Sequence, residues 1–149
     1  MILYIRGEKM EILKAKDKYV VRIDKGEEVI ESLNKFIREE NVRAGSVTGI
    51  GAAGLVETGL YNTKTKSYNS KTFEGDFEIT NFSGNITRMN SEHYLHMHIT
   101  FADKNLKAYG GHLNKAIISG ACEIVVDVID ATIERKLDEE IGLNILKFN

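Results

Sequence analysis

The sequence has no proline and no tryptophan, and a single cysteine in 149 residues. One cysteine excludes an intrachain disulfide. No apolar run reaches the ~18 residues that a membrane-spanning helix needs. Met1 to Arg6 is too short for a signal peptide and lacks its charged-then-apolar layout. No serine-nucleophile motif and no phosphate loop is present. There is no excess of basic charge: the formal net charge is −2 and the isoelectric point is near 6.1. A self-sufficient nucleic-acid binder usually carries a basic face and a high isoelectric point, so this balance counts against tight DNA binding by the chain alone. The absence of proline and tryptophan carries no functional reading of its own.

What is present describes a globular chain. Hydrophobic residues make up 42 % and charged residues 28 %, a composition that supports a packed core. The length fits one domain, residues 1–149, with a core over about 10–131 and a C-terminal extension over 132–149. Together with the lone cysteine, this gives the expectation of a cytoplasmic protein with no membrane partner.

Periodicity gives the elements. Tyr19, Val21 and Ile23 alternate with Val20 and Arg22, a strand pattern that follows a turn at Lys16–Lys18. Val29, Ile30, Leu33, Phe36 and Ile37 form one apolar stripe, which predicts a helix over 27–41. Glu27, Glu28 and Glu31 complement the dipole of its first turns, and Gly45 follows its end. Beyond residue 45 the pattern predicts strands at 45–50, 54–62, 76–82, 84–90, 94–101, 106–112, 121–131 and 143–148. Turns are expected at 62–67, 83–85 and 103–105. Residues 133–141 read as a loop or a short helical turn. One main helix followed by a long antiparallel run predicts an α+β fold, the helix packed on the sheet.

Residues 49–54, Gly-Ile-Gly-Ala-Ala-Gly, match the dinucleotide fingerprint in letters only. That motif works by opening a helix towards a pyrophosphate. Leu55 to Tyr61 alternates like a strand, so the glycines are expected to make a strand corner. Cys122 belongs to the apolar set Cys122, Ile124, Val126 and Val128 and reads as a buried, inert thiol. Lys64, Lys66 and Lys71 interleave with Tyr61, Tyr68 and Phe73. Such a pattern can contact nucleic acid, but a solvated hairpin is the simpler reading. Glu57, Glu74 and Glu78 are spread over different strands.

The histidines concentrate the chemistry. In Tyr94 to Phe101 the residues Leu95, Met97, Ile99 and Phe101 point one way, and His96, His98 and Thr100 the other. His96 and His98 are then about 6.6 Å apart along one strand face. With a turn centred on Lys104, His112 on the next strand lies opposite His96 and Gly110 opposite His98. Opposed Cβ atoms are about 4.5–5.5 Å apart. Three neutral imidazoles suit Zn²⁺, and also Fe, Cu or Ni. Three protein ligands leave a coordination position open, as in catalytic zinc sites where bound water becomes a nucleophile. Glu92, Glu123 and Asp103 are candidates to complete the shell or act as a base, and the sequence does not choose among them. His93 reads as a surface residue.

Four stretches carry a family resemblance: Gly75-Asp76-Phe77-Glu78-Ile79-Thr80-Asn81-Phe82-Ser83-Gly84, Gly45 to Ala52, His96-Met97-His98 and Gly110-Gly111-His112-Leu113. In this combination, from about residue 10 to 131, the chain resembles the plants and prokaryotes conserved (PPC) domain, whose prokaryotic members are named PD1-like DNA-binding proteins. The resemblance implies a compact α+β unit, a homotrimer, and a metal site at His96, His98 and His112. In plant members an AT-hook beside the domain enters the DNA minor groove, while the domain itself supports assembly and partner contacts. This sequence has no AT-hook. Three functions compete on these grounds: a trimeric regulatory module associated with DNA, a metal-dependent enzyme of hydrolase or lyase type acting on a small molecule, and a metal-stabilised assembly unit.

Overall fold

The computed structural model describes residues 2–6 and 10–148. Its elements run β1 (Ile2–Arg6), β2 (Glu11–Ala15), β3 (Lys18–Asp24), α1 (Val29–Glu39), β4 (Gly45–Asn62), β5 (Ser67–Met89), β6 (Glu92–Ala102), β7 (Ala108–Val128), β8 (Glu134–Asp138) and β9 (Leu143–Lys147). Strands take 69 % of the described residues and the helix 8 %. The expected α+β class is therefore corrected to a mainly β fold with one short helix.

The difference has a local cause. Ser83-Gly84-Asn85 reads as a turn by composition but lies inside β5, paired with Thr48, Val47 and Ser46 on one side and with His98, Met97 and His96 on the other. A Cβ at Gly84 would collide with the His96 carbonyl and the Met97 sulfur. This glycine serves close strand approach, not chain reversal. Likewise Gly49 to Gly54 lies within β4, where the register shifts between Gly49 and Gly51 and between Ala53 and Leu55. A Cβ on Gly51 would stand 2.6 Å from the Ala121 carbonyl oxygen. No helix opens at this motif, as expected for a strand corner. Residues 134–138 are a strand, where a loop or helical turn was expected.

The pairings of β4 with β5, β5 with β6, β6 with β7 and β7 with β4 close into a ring. All are antiparallel. β3, β2 and β1 continue the sheet from β7, and β8 and β9 continue it from β5, β8 through a single parallel bridge at Arg88 and Glu134. The core fills the ring with Val47, Val56, Ile79, Phe82, Ile86, Met97, Ile99, Phe101 and Ile118. The helix covers one side. It buries Val29, Leu33, Phe36 and Ile37 of the predicted stripe, with Ile30 partly buried beside them, and Phe36 meets Tyr19 edge-on at 5.0 Å between ring centres.

The ends of α1 are fixed by identifiable groups. Glu28 caps its start by accepting the Glu31 N–H at 2.7 Å, and its other carboxylate oxygen accepts the Ala116 N–H of β7 at 2.9 Å. One side chain thus both caps the helix and ties it to the sheet. The stop is Asn41, at φ 50°, with the Val42 N–H bonded to the Ile37 carbonyl at 3.0 Å. That is the left-handed closing geometry, four residues before the glycine expected to mark it.

Candidate metal centre

β6 alternates as its sequence dictates, with Met97, Ile99 and Phe101 buried and His96 and His98 on the opposite face. The pairing with β7 places His98 opposite His112, Ile99 opposite Gly111 and Thr100 opposite Gly110. The expected register, His96 opposite His112, is corrected by two residues. The reason is the loop. Asp103 Oδ1 accepts the N–H groups of Asn105 at 2.8 Å and Lys107 at 3.1 Å, and Leu106 sits at φ 60°. The reversal therefore takes five residues centred on Asn105. A shift of two leaves side-chain parity unchanged, so all three imidazoles still share a face.

The imidazole centres are 5.1 Å apart for His96 and His98, 5.2 Å for His96 and His112, and 5.7 Å for His98 and His112. One nitrogen from each ring lies within 4.8 Å of the other two. Zinc–nitrogen bonds of about 2.0–2.1 Å in a tetrahedron set nitrogens about 3.3 Å apart. The nitrogens stand somewhat farther apart than that, and the three-imidazole donor set is compatible with a transition-metal ion once the rings draw together.

Electrostatics keep two of the rings in the ligating form. Burial pushes the His96 pKa down to about 4, with further lowering by His112, Arg135 and His98. Burial, and then His98, lowers that of His112. A neutral imidazole is what a metal requires. His112 is also held by its backbone: the Thr58 hydroxyl donates to its carbonyl at 2.8 Å. Gly111 permits that approach, because a Cβ there would stand 2.6 Å from the Gly59 carbonyl oxygen.

The histidines open into a pocket of about 520 Å³, walled by Leu60, Tyr61 and Tyr68 of the β4–β5 hairpin, by Tyr94, and by Leu143 and Asn144 of β9. None of the three carboxylates considered from sequence lines it. Asp103 caps its own loop and accepts the Tyr109 hydroxyl at 3.1 Å. Glu123 lies at a separate depression with Ile50 and Glu78. Glu92 is exposed at the start of β6. No fourth His, Cys, Asp or Glu joins the three rings among the described residues. His93 is partly buried, and its Nδ1 is buried without a hydrogen-bond partner. Cys122 is fully buried with its pKa pushed up to about 12, an inert thiol as expected. The Lys64–Lys71 segment is a hairpin: Asn62 Oδ1 accepts the Lys64 and Thr65 N–H groups, and Lys71 lies over the Phe73 ring.

Arg135 is the residue that sequence reasoning missed. It is only 8 % exposed. Its Nε donates to Thr87 Oγ1 at 2.8 Å, Nη2 to Asn85 Oδ1 at 2.7 Å and Nη1 to the Asn144 carbonyl at 2.7 Å. The guanidinium also lies over Tyr94, 4.8 Å from the ring centre. Asn85 is the strand partner of His96. Residues 133–141 read as a loop or a short helical turn, so no sequence signal marks this arginine as buried.

Comparison with known proteins bears on the same residues. No functionally curated protein matches the chain significantly. Among solved structures, a Bacteroides thetaiotaomicron protein described as a candidate DNA-binding protein is 40 % identical, with a TM-score of 0.89 over 99 % of this chain and 98 % of its own. A Ralstonia eutropha protein with the same description is 29 % identical, TM-score 0.86, over 93 % and 96 %. A metal-containing protein of Archaeoglobus fulgidus is 28 % identical, TM-score 0.81, over 97 % and 100 %. The model of the Plants and Prokaryotes Conserved (PCC) domain, the PPC domain of the sequence resemblance, matches residues 10–130. With that match spanning the helix, the closed ring of strands and all three histidines, the chain belongs to the PCC domain family.

Proposed function

We propose that this protein is a metal-holding binding module, a PCC-domain homotrimer in which His96, His98 and His112 ligate one transition-metal ion beside a pocket open to a small molecule. The observation that carries the reading is the convergence of three imidazole nitrogens within 4.8 Å on one pocket wall. Zinc suits the set best, because three nitrogens fill three tetrahedral positions and leave the fourth to a ligand from the pocket. The metal-containing relative from Archaeoglobus fulgidus supports it. When bound, such an ion supplies Lewis acidity at the open position. The described lining residues offer tyrosine hydroxyls and an amide but no carboxylate base, which favours ligand binding over metal-assisted hydrolysis. Self-association is supported by an apolar patch on the outer sheet face: Val20, Val125 and Ile50 are 49 %, 44 % and 54 % exposed, and Val20 pairs directly with Val125.

Elemental analysis of untagged protein, beside a His96→Ala/His98→Ala variant, tests the site. The expected result is near-stoichiometric zinc or another transition metal, lost in the variant. No metal in either protein, even after zinc is supplied, overturns the reading.

The second reading is DNA association, favoured by the description of two relatives as candidate DNA-binding proteins. Phosphate contacts release counterions, so real binding weakens steeply with salt. Absence of affinity at low salt removes it.

A further inference from the structure

Arg135 is a buried cation whose hydrogen-bond acceptors are all neutral: a threonine hydroxyl, an asparagine side-chain oxygen and a backbone carbonyl. Among the described residues, no Asp or Glu oxygen forms an ion pair with it. A charge removed from water is ordinarily paired with its opposite. Here its neighbours instead lead to the pocket. Tyr94, under the guanidinium, and Asn144, whose carbonyl it holds, both line the cavity, and no acidic residue does. Asn85, which accepts from the guanidinium, is the strand partner of His96. A divalent ion on three neutral imidazoles would add two further positive charges to the same wall.

We infer that the pocket selects a small organic anion, a carboxylate with a short apolar body, and that Arg135 is the residue that sets this preference. The inference rests on the metal-binding reading above. The excess positive charge is the selecting force, strengthened because the site is partly withdrawn from water. Leu60, Leu143 and Tyr61 offer apolar walls that an inorganic oxyanion would not use. The volume of about 520 Å³ lies within the ~300–1,000 Å³ usual for small-molecule sites. Tyr94 accepts the Asn144 amide N–H at 3.3 Å, which leaves its own hydroxyl hydrogen free to donate to a carboxylate.

The test uses the full chain loaded with Co²⁺, whose visible spectrum reports exchange at the open coordination position. Butyrate is titrated against its neutral isostere butyramide and against inorganic phosphate. Butyrate should perturb the spectrum at the lowest concentration, phosphate at a higher one and butyramide least. Arg135→Met should weaken butyrate by ~10-fold or more, the effect of losing one charge close to a partly buried site, with cobalt stoichiometry unchanged. Asn144→Asp, which adds a carboxylate to the pocket wall, should weaken butyrate similarly and serves if the Met variant does not fold. Equal affinity for butyrate and butyramide, phosphate binding tighter than butyrate, or full butyrate affinity in a folded charge variant each overturns the proposal while leaving the metal site standing. Failure of wild-type protein to bind cobalt overturns the metal reading and this inference with it.

Discussion

His96 shows how one side chain couples the site to stability. Its pKa of about 4 in the folded protein lies below the ordinary 6.5, so the unfolded chain takes up a proton first as pH falls. The stability its neutral form contributes is fully present above pH 6.5 and is lost as pH drops from about 6.5 towards about 4. For metal-free protein we expect Tm to fall through that window and His96→Gln to reduce the slope. His112, shifted in the same direction, leaves a residual dependence. An unchanged slope in the variant would show that the acid sensitivity arises elsewhere. Cys122 makes the opposite case, a reactive residue type rendered inert. With its thiol fully buried and its pKa near 12, it should resist iodoacetamide in native protein and react fully in denaturant; mass spectrometry distinguishes the two. The sequence pattern around Cys122 already implied this. Nothing around Arg135 implied its burial, because its acceptors come from residues 85, 87 and 144.

Among the elements, α1 depends on Glu28 more than on its length. The carboxylate caps the first turn and also accepts the Ala116 N–H, which is otherwise left unsatisfied next to the core. Glu28→Ala should cost ~1–3 kcal/mol, combining loss of a cap with loss of a buried acceptor, read as a lower urea midpoint at unchanged m-value. β4 offers a second test. At Gly51 an added methyl would stand 2.6 Å from the Ala121 carbonyl oxygen and 2.9 Å from the Cys122 Cα, both backbone neighbours that yield little. Gly51→Ala should therefore destabilise by ~1–3 kcal/mol. A neutral result in the same urea experiment would mean that β4 and β7 can separate at this point. These glycines also explain why strand lengths were poorly legible. By residue type they resemble turns, and only the neighbouring strands reveal them as points of close approach.

For the whole molecule, the ring of β4, β5, β6 and β7 brings residues 59, 68, 94, 96 and 112 to one place although they lie on four different strands. On the outer face of β3, β7 and β4, by contrast, Val20, Val125 and Ile50 stand exposed. If Val20, Val125 and Ile50 form the surface of the proposed homotrimer, wild-type protein should run at three chains and Val125→Lys at fewer, measured by light scattering in line with gel filtration. A mass that stays at three chains would place the interface elsewhere.

The sequence by itself determined which residues face together. Side chains alternate along a strand with a period of two, so His96 and His98 share a face whatever they pair with, and even the misread register kept His112 on it. The apolar stripe of α1 and the inert setting of Cys122 are legible for the same reason: they follow from short-range geometry. Only the tertiary structure decided what else stands at the site. It set Asp103, Glu123 and Glu92 away from the pocket and brought the C-terminal strands with Arg135 and Asn144 to it. Those placements depend on loop lengths, bulges at Gly49–Leu55 and pairings between segments tens of residues apart, which no local pattern encodes.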